Sequence, residues 1–142
     1  MHKKAAILGI KGIKLTNDEK VLIKTKKPWG IILFSRNIQN VKQLKHLIDN
    51  IKDCSKDRNY PILIDQEGGR IERLPVPPWR KLASPGQFGS LEQEIAAAAV
   101  EINARLIAMD LFELGIDVNC IPCLDVIDAQ GHQVPSHLGK TG

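Results

Sequence analysis

Three cysteines, few aromatic residues and no long apolar run set the first limits on this 142-residue chain. An odd cysteine count argues against the disulfide framework that staples small secreted domains. Cys120-Ile-Pro-Cys123 has redox spacing, but a thioredoxin-type pair draws its low thiol pKa from the start of a helix. Here Leu124-Asp-Val126 follows and reads as a strand end, so both thiols are expected to pack in or near a strand; a redox pair is the minority alternative. No companion His or Cys cluster has ligand spacing, so neither a metal nor a cofactor is expected. Aromatics form only 4% of the chain, and none interleaves with Lys24, Lys26 and Lys27. That cluster, within a net charge of +4, reads as a solvated helix face rather than a nucleic-acid platform. The opening Met1-His-Lys-Lys leads into Ala5–Ile10, only six residues before Lys11 and short of the ~7–15 of a signal core. No segment approaches the ~18 apolar residues of a membrane span. A cytoplasmic protein without a membrane partner is expected.

What remains is ordinary for a globular protein: 43% apolar and 25% charged residues, in a chain long enough for one domain with a real core. Ala5–Ile10 is a short strand. Thr16 with Glu19 three residues on predicts a capping box, opening a helix that ends before Pro28. Ile31–Phe34 is continuously apolar, as for a strand covered on both faces. Asn40 and Gln43 form a weaker capping pair before a helix whose Val41, Leu44, Ile48 and Ile51 make one buried stripe. Ile62–Ile64 is the third strand. The following loop holds Pro75, Pro77, Pro78 and Pro85 over more than twenty residues, a length that often marks function. Ser90 with Gln93 predicts the start of a long helix burying Ile95, Ala98, Ala99, Ile102, Leu106 and Met109. Gly115 sits where a helix end wants a left-handed residue, and a last strand covers about 117–124. The alternation predicts parallel β-structure with helical crossovers. Periodicity alone fits a small doubly wound sheet and a barrel fragment equally well.

The chemistry concentrates where the third strand stops, in Asp65-Gln-Glu-Gly-Gly-Arg70-Ile-Glu-Arg73. Ligand-binding side chains collect at the carboxyl ends of parallel strands, and the glycines allow a sharp turn beside a ligand. Carboxylates that accept and guanidinium forks that donate in fixed directions suit a hydroxyl-rich ligand. Two carboxylates flanking a bond would also suit glycoside hydrolysis. Asp65 and Glu67 would share a face if the strand continued, but the glycine turn leaves their directions open. Asp65 and Asp125, at the ends of different strands, form the better pair, with a strand-end carboxylate held by backbone N–H groups or an arginine as the equal alternative for Asp125. Glu67 and Arg70 each have a plainer reading, anchoring the glycine turn through an ion pair, and for Glu67 that is the leading one. Arg36 and Asn37 follow the second strand and face the same edge, or Asn37 caps a turn. Trp29 reads as packing; Trp79, in the proline loop, either stacks on a sugar or pins the loop to the core.

The motif Asp65-Gln-Glu-Gly-Gly-Arg-x-x-Arg73 resembles the signature of bacterial β-N-acetylglucosaminidases (β-N-acetylhexosaminidases) of glycoside hydrolase family 3. Gly30-Ile-Ile-Leu-Phe34-Ser-Arg36-Asn37, Gly115-Ile-Asp-Val-Asn119 and Pro122-Cys-Leu-Asp125-Val126 resemble further family segments in the same order, over roughly residues 5–128. The resemblance implies an α/β fold, the N-terminal half of a (β/α)8 TIM-type barrel, since a whole barrel needs about 200–250 residues. It implies a domain over residues 1–128 and a divergent tail over 129–142. It also implies retaining hydrolysis of terminal N-acetylglucosamine from peptidoglycan fragments in the complete enzyme, so an amino-sugar glycoside or muropeptide is the expected partner. Family 3 also contains β-glucosidases; the form of the motif points to the N-acetylglucosaminidase branch. By resemblance, Asp65 and Arg73 bind the sugar; Arg70, Asp125 and Trp79 are weaker candidates from their own positions in the sequence. The family's aspartate nucleophile and its Lys-His-Phe-Pro-Gly-His-Gly loop have no counterpart here, and His132 and His137 lie in no such context. After Val126 the family's Gly-x-Arg-Ser segment is replaced by Gly131-His-Gln-Val-Pro135. A frameshift, a premature stop or a short paralogue would each explain this. The expectation is a chain with no catalytic residue of its own, inactive unless a complementing C-terminal barrel half or self-association completes it. A non-catalytic sugar-binding module and a gene remnant are the alternatives.

Overall fold

The computed structural model describes residues 3–122, with the strand backbone at 126–127 and 133–134. Its elements are β1 (Lys4–Gly9), α1 (Asn17–Lys26), β2 (Pro28–Leu33), a 3-10 turn at Ser35–Asn37, α2 (Val41–Ser55), β3 (Ile62–Ile64), α3 (Pro85–Phe88), α4 (Gln93–Leu114) and β4 (Val118–Asn119). A two-residue antiparallel pair, β5 (Val126–Ile127) with β6 (Gln133–Val134), follows. The main sheet is parallel throughout and runs β1-β2-β3-β4 in chain order. Sequential parallel strands with helical crossovers make an α/β fold, and all carboxyl ends of the strands then lie along one edge.

Local chemistry explains the element boundaries. Glu19 N–H donates to Thr16 Oγ1 while Thr16 N–H donates to Glu19 Oε2, the reciprocal box expected at the start of α1. Asn40 caps α2 by accepting from Gln43 N–H at 2.9 Å, but Gln43 returns its side-chain oxygen to Gln39 N–H, one residue earlier than the reciprocal pattern. The proline at the head of β2 costs no ladder bond, since a first strand residue needs no internal N–H partner. Within the core, Ile31, Leu33, Ile62 and Ile64 of the sheet meet Leu44, Leu47, Ile48 and Ile51 of α2 and Ile107, Leu111 and Leu114 of α4.

The long helix departs from expectation in two ways. It starts after Glu92, which makes no side-chain cap bond, while Ser90 Oγ donates to Gln87 O instead. Its buried residues are Ile107, Leu111 and Leu114, whereas Ile95, Ile102 and Met109 are more than half exposed and Phe112 is 84% exposed. The alanine-rich first half offers no bulky stripe, so where the sheet touches the helix decides its buried face, and contact falls on the last two turns. Pro85 also proves regular, standing at the first position of α3, where a missing N–H is harmless. Trp29 is 41% exposed rather than packed. The last strand is shorter than expected, pairing only Val118 and Asn119; Leu124 lies outside the described residues. Gly115 does end α4 with φ +81.

Tyr60, the one tyrosine, is buried at the foot of the sheet and donates its hydroxyl to Pro28 O at 2.8 Å. Burial, helped by the charge of Asp57, pushes its phenol up to about 12. A raised folded-state pKa contributes stability that is present below the unfolded value near ~10 and lost as pH rises through about 12. Ultraviolet titration should therefore show no phenolate near pH ~10 in the folded protein. Tyr60→Phe should flatten the alkaline loss of stability and cost about 1–3 kcal/mol at neutral pH, measured by denaturant unfolding.

Candidate functional site

The site is built where β3 runs out. Three fully apolar residues end at Asp65, and the chain leaves the sheet in a tight turn in which Glu67 and Gly68 N–H both donate to Ile71 O at 2.9 and 3.2 Å. Gly68 and Gly69 have φ of +101 and +66. A Cβ on Gly68 would collide with the Ala83 carbonyl, and one on Gly69 would stand 2.6 Å from Ser84 Cβ. The two glycines are thus needed both for their dihedrals and for the close approach of the proline loop.

The turn brings Arg73 back over the strand end, where its Nη2 donates to Asp65 Oδ2 at 3.2 Å. Both side chains remain about a quarter exposed, at 25% and 23%. The Arg73 guanidinium also lies 5.8 Å from the Phe34 ring centre, and Arg36 stacks on that ring at 4.5 Å. Arg36 Nε donates to Ile10 O, so it ties β1 to the end of β2. Arg73 Nε is buried without a partner.

Two amides that sequence reasoning missed support this pair. Gln66 is 2% exposed, and its Oε1 accepts from Arg73 N–H at 2.8 Å and Leu74 N–H at 3.2 Å. Asn119, at the end of β4, brackets the Gln66 backbone: its Oδ1 accepts from Gln66 N–H at 2.9 Å and its Nδ2 donates to Gln66 O at 3.0 Å. The only available signal was a polar residue between an apolar strand and a Gly-Gly turn. Asn37 proves structural too. It is fully buried, accepts from Phe34 N–H and donates to Ile10 O and Gly12 O.

The other sequence candidates are dispersed. Glu67 lines an apolar hollow of about 230 Å³ with Phe88, Val100, Ile107, Ile121 and Pro122, and Asp65 is not part of that lining. No ion pair joins Glu67 to Arg70; backbone hydrogen bonds hold the turn, and Arg70 is exposed on it. Trp79 is buried in the core cluster and borders a different hollow, with Val41, Lys45, Arg80 and Asp110. It pins the proline loop, helped by the two-point Arg80–Asp110 pair at 2.9 Å. Asp125 and Cys123 lie outside the described residues. Cys120 is exposed rather than packed. Burial, the charge of Asp65 and a hydrogen bond to it all push the Cys120 thiol up, the reverse of what a redox pair needs. Among the described residues no group of three or more His, Cys, Asp or Glu could hold a metal, and no helix is long and apolar enough to cross a membrane.

The profile of the glycosyl hydrolase family 3 N-terminal domain matches residues 1–135. A beta-hexosaminidase of Alkalilimnicola ehrlichii is 34% identical over 125 residues, covering 84% of this chain and 35% of that protein. One from Neisseria meningitidis is 35% identical over 121 residues, covering 82% of this chain and 33% of the relative. Among solved structures, NagZ from Neisseria gonorrhoeae in complex with N-trifluoroacetyl-D-glucosamine superimposes with a TM-score of 0.77 at 32% identity, covering 87% of this chain and 37% of that one. A family 3 beta-N-acetylglucosaminidase from Paenibacillus sp. gives 0.75 at 27% identity, over 85% and 23%. The chain thus spans about a third of the length of the curated relatives it matches.

Because the Cys120 pKa is raised, less thiolate is present at neutral pH and alkylation should be slower than for a free cysteine. In a Cys123→Ser background, Asp65→Asn removes the negative charge, so the rate should rise; iodoacetamide kinetics read by mass spectrometry check both.

Proposed function

The chain belongs to glycosyl hydrolase family 3 as an N-terminal portion, and we propose that it carries the sugar-recognising half of a β-N-acetylhexosaminidase site. The observation that carries this reading is the Asp65–Arg73 pair at the carboxyl edge of the sheet. A carboxylate and a guanidinium side by side, both partly open to solvent, present an acceptor and a donor at the spacing of neighbouring sugar hydroxyls. Similarity to a structure that holds an N-acylated glucosamine supports an amino sugar as ligand. The ligand we assign is the terminal N-acetylglucosamine of a peptidoglycan fragment.

Hydrolysis with retention needs a nucleophile and an acid/base group on either side of the glycosidic bond, and we assign neither to these residues. Both come from barrel residues outside these 142, on the same polypeptide or a second one. The uncovered apolar side of α4, with Ile95, Ile102, Met109 and Phe112 exposed, supports a docking surface for that remainder.

Titrating the labelled protein with N-acetylglucosamine by NMR tests the recognition step. Binding should perturb residues around Asp65 and Arg73, and Asp65→Ala should weaken it about tenfold or more, since a hydrogen bond to a charged group contributes about 1.5–3 kcal/mol. A wild-type protein indifferent to the sugar would sink the reading. Supplying the remaining barrel of a relative as a second polypeptide should restore hydrolysis of an aryl β-N-acetylglucosaminide.

A further inference from the structure

We propose that Gln66 is a positioning residue for sugar binding: its buried side-chain oxygen holds the returning chain at Arg73 and Leu74 so that the Arg73 guanidinium stands against Asp65. The inference rests on the reading of Asp65 and Arg73 as the sugar-contacting pair. The pair itself is too weakly held to fix its own geometry. A single 3.2 Å contact joins Arg73 to Asp65, the Phe34 ring is 5.8 Å from the guanidinium, and Arg73 Nε has no partner. Where the guanidinium stands therefore depends on where the backbone at Arg73 is placed.

Gln66 places it. Its backbone N–H and C=O are both taken by the Asn119 side chain, which locks the residue to the end of β4. From that fixed point its Oε1 receives two consecutive N–H groups, at Arg73 and Leu74. Leu74 is 3% exposed and anchored in the core cluster, so the oxygen meets the chain where it turns inward. The excursion from Asp65 to Arg73 is closed at both ends by one side chain. Glu72, through its bond to Leu82 N–H, ties the same arm to the proline loop. An amide oxygen with both acceptor sites filled inside a buried setting defines a position sharply, because leaving either N–H unpaired there is costly.

The test uses the full chain, isotope-labelled, with three variants. Gln66→Met keeps length and removes the acceptor, Gln66→Glu keeps the acceptor, and Gln66→Asn keeps the amide but withdraws it by one methylene. Gln66→Met and Gln66→Asn should each lose about tenfold in N-acetylglucosamine affinity, and the Arg73 and Leu74 amides should exchange about tenfold faster. Gln66→Glu should stay within about threefold of wild type, and the amides of β1 and β2 should be unmoved in all three. Wild-type affinity in Gln66→Met, or in Gln66→Asn should the methionine variant fail to fold, would overturn the proposal. So would losses in all variants that merely track melting temperature. If the unaltered protein binds no sugar, the functional reading fails by itself; the Arg73 N–Hε resonance and the two amide exchange rates then still decide whether Gln66 holds the arm.

Discussion

A strand of three residues cannot by itself hold the arm that carries Arg73, and in this protein the Gln66–Asn119 amide pair supplies the missing restraint. Asn119 takes both polar groups of the Gln66 backbone, as a neighbouring strand would, which extends the β3–β4 ladder by side-chain bonds one step past Ile64. The Gln66 side chain then closes the excursion that carries Arg73. Buried amides left partly unpaired cost on the order of 1–3 kcal/mol each, so this arrangement is stable only in the register that satisfies all four bonds. Register, turn and the Asp65–Arg73 pair are in that sense one constraint.

The proline loop depends on the same point. Once the chain returns at Leu74, Trp79 and Leu82 also enter the core cluster, and Arg80 grips Asp110 on α4. The loop is a packed arm laid across the carboxyl edge rather than a free lid. Its backbone passes so close to Gly68 and Gly69 that neither tolerates a side chain. The glycines therefore serve the loop as much as the turn, and the arm packs directly on the turn at the sheet edge.

Features that rest on local chemistry were legible in the sequence. The Thr16–Glu19 box, the third strand at Ile62–Ile64 and the left-handed end at Gly115 each follow from a few adjacent residues. The motif singled out Asp65 and Arg73 separately, and the structure brings their side chains together. What failed depended on distant partners. The buried face of α4 is set by which turns reach the sheet, and an alanine-rich helix carries little information about that. Gln66 and Asn119 look like ordinary polar residues until the fold brings positions 53 apart in sequence within hydrogen-bond reach. Glu67 follows Asp65 by two residues, yet it turns toward α4 because the strand had already ended.

The charges at the edge also bear on ligand chemistry. Arg36 commits its Nε to Ile10 O and its face to Phe34, while Arg73 shares its charge with Asp65. An anion approaching Arg73 would meet the Asp65 carboxylate about as soon as the guanidinium, and the attraction and repulsion would largely offset. A neutral hydroxyl has no such conflict, since it donates to the carboxylate and accepts from the guanidinium at once. At the Asp65–Arg73 pair itself, hydrogen-bond direction therefore counts for more than charge.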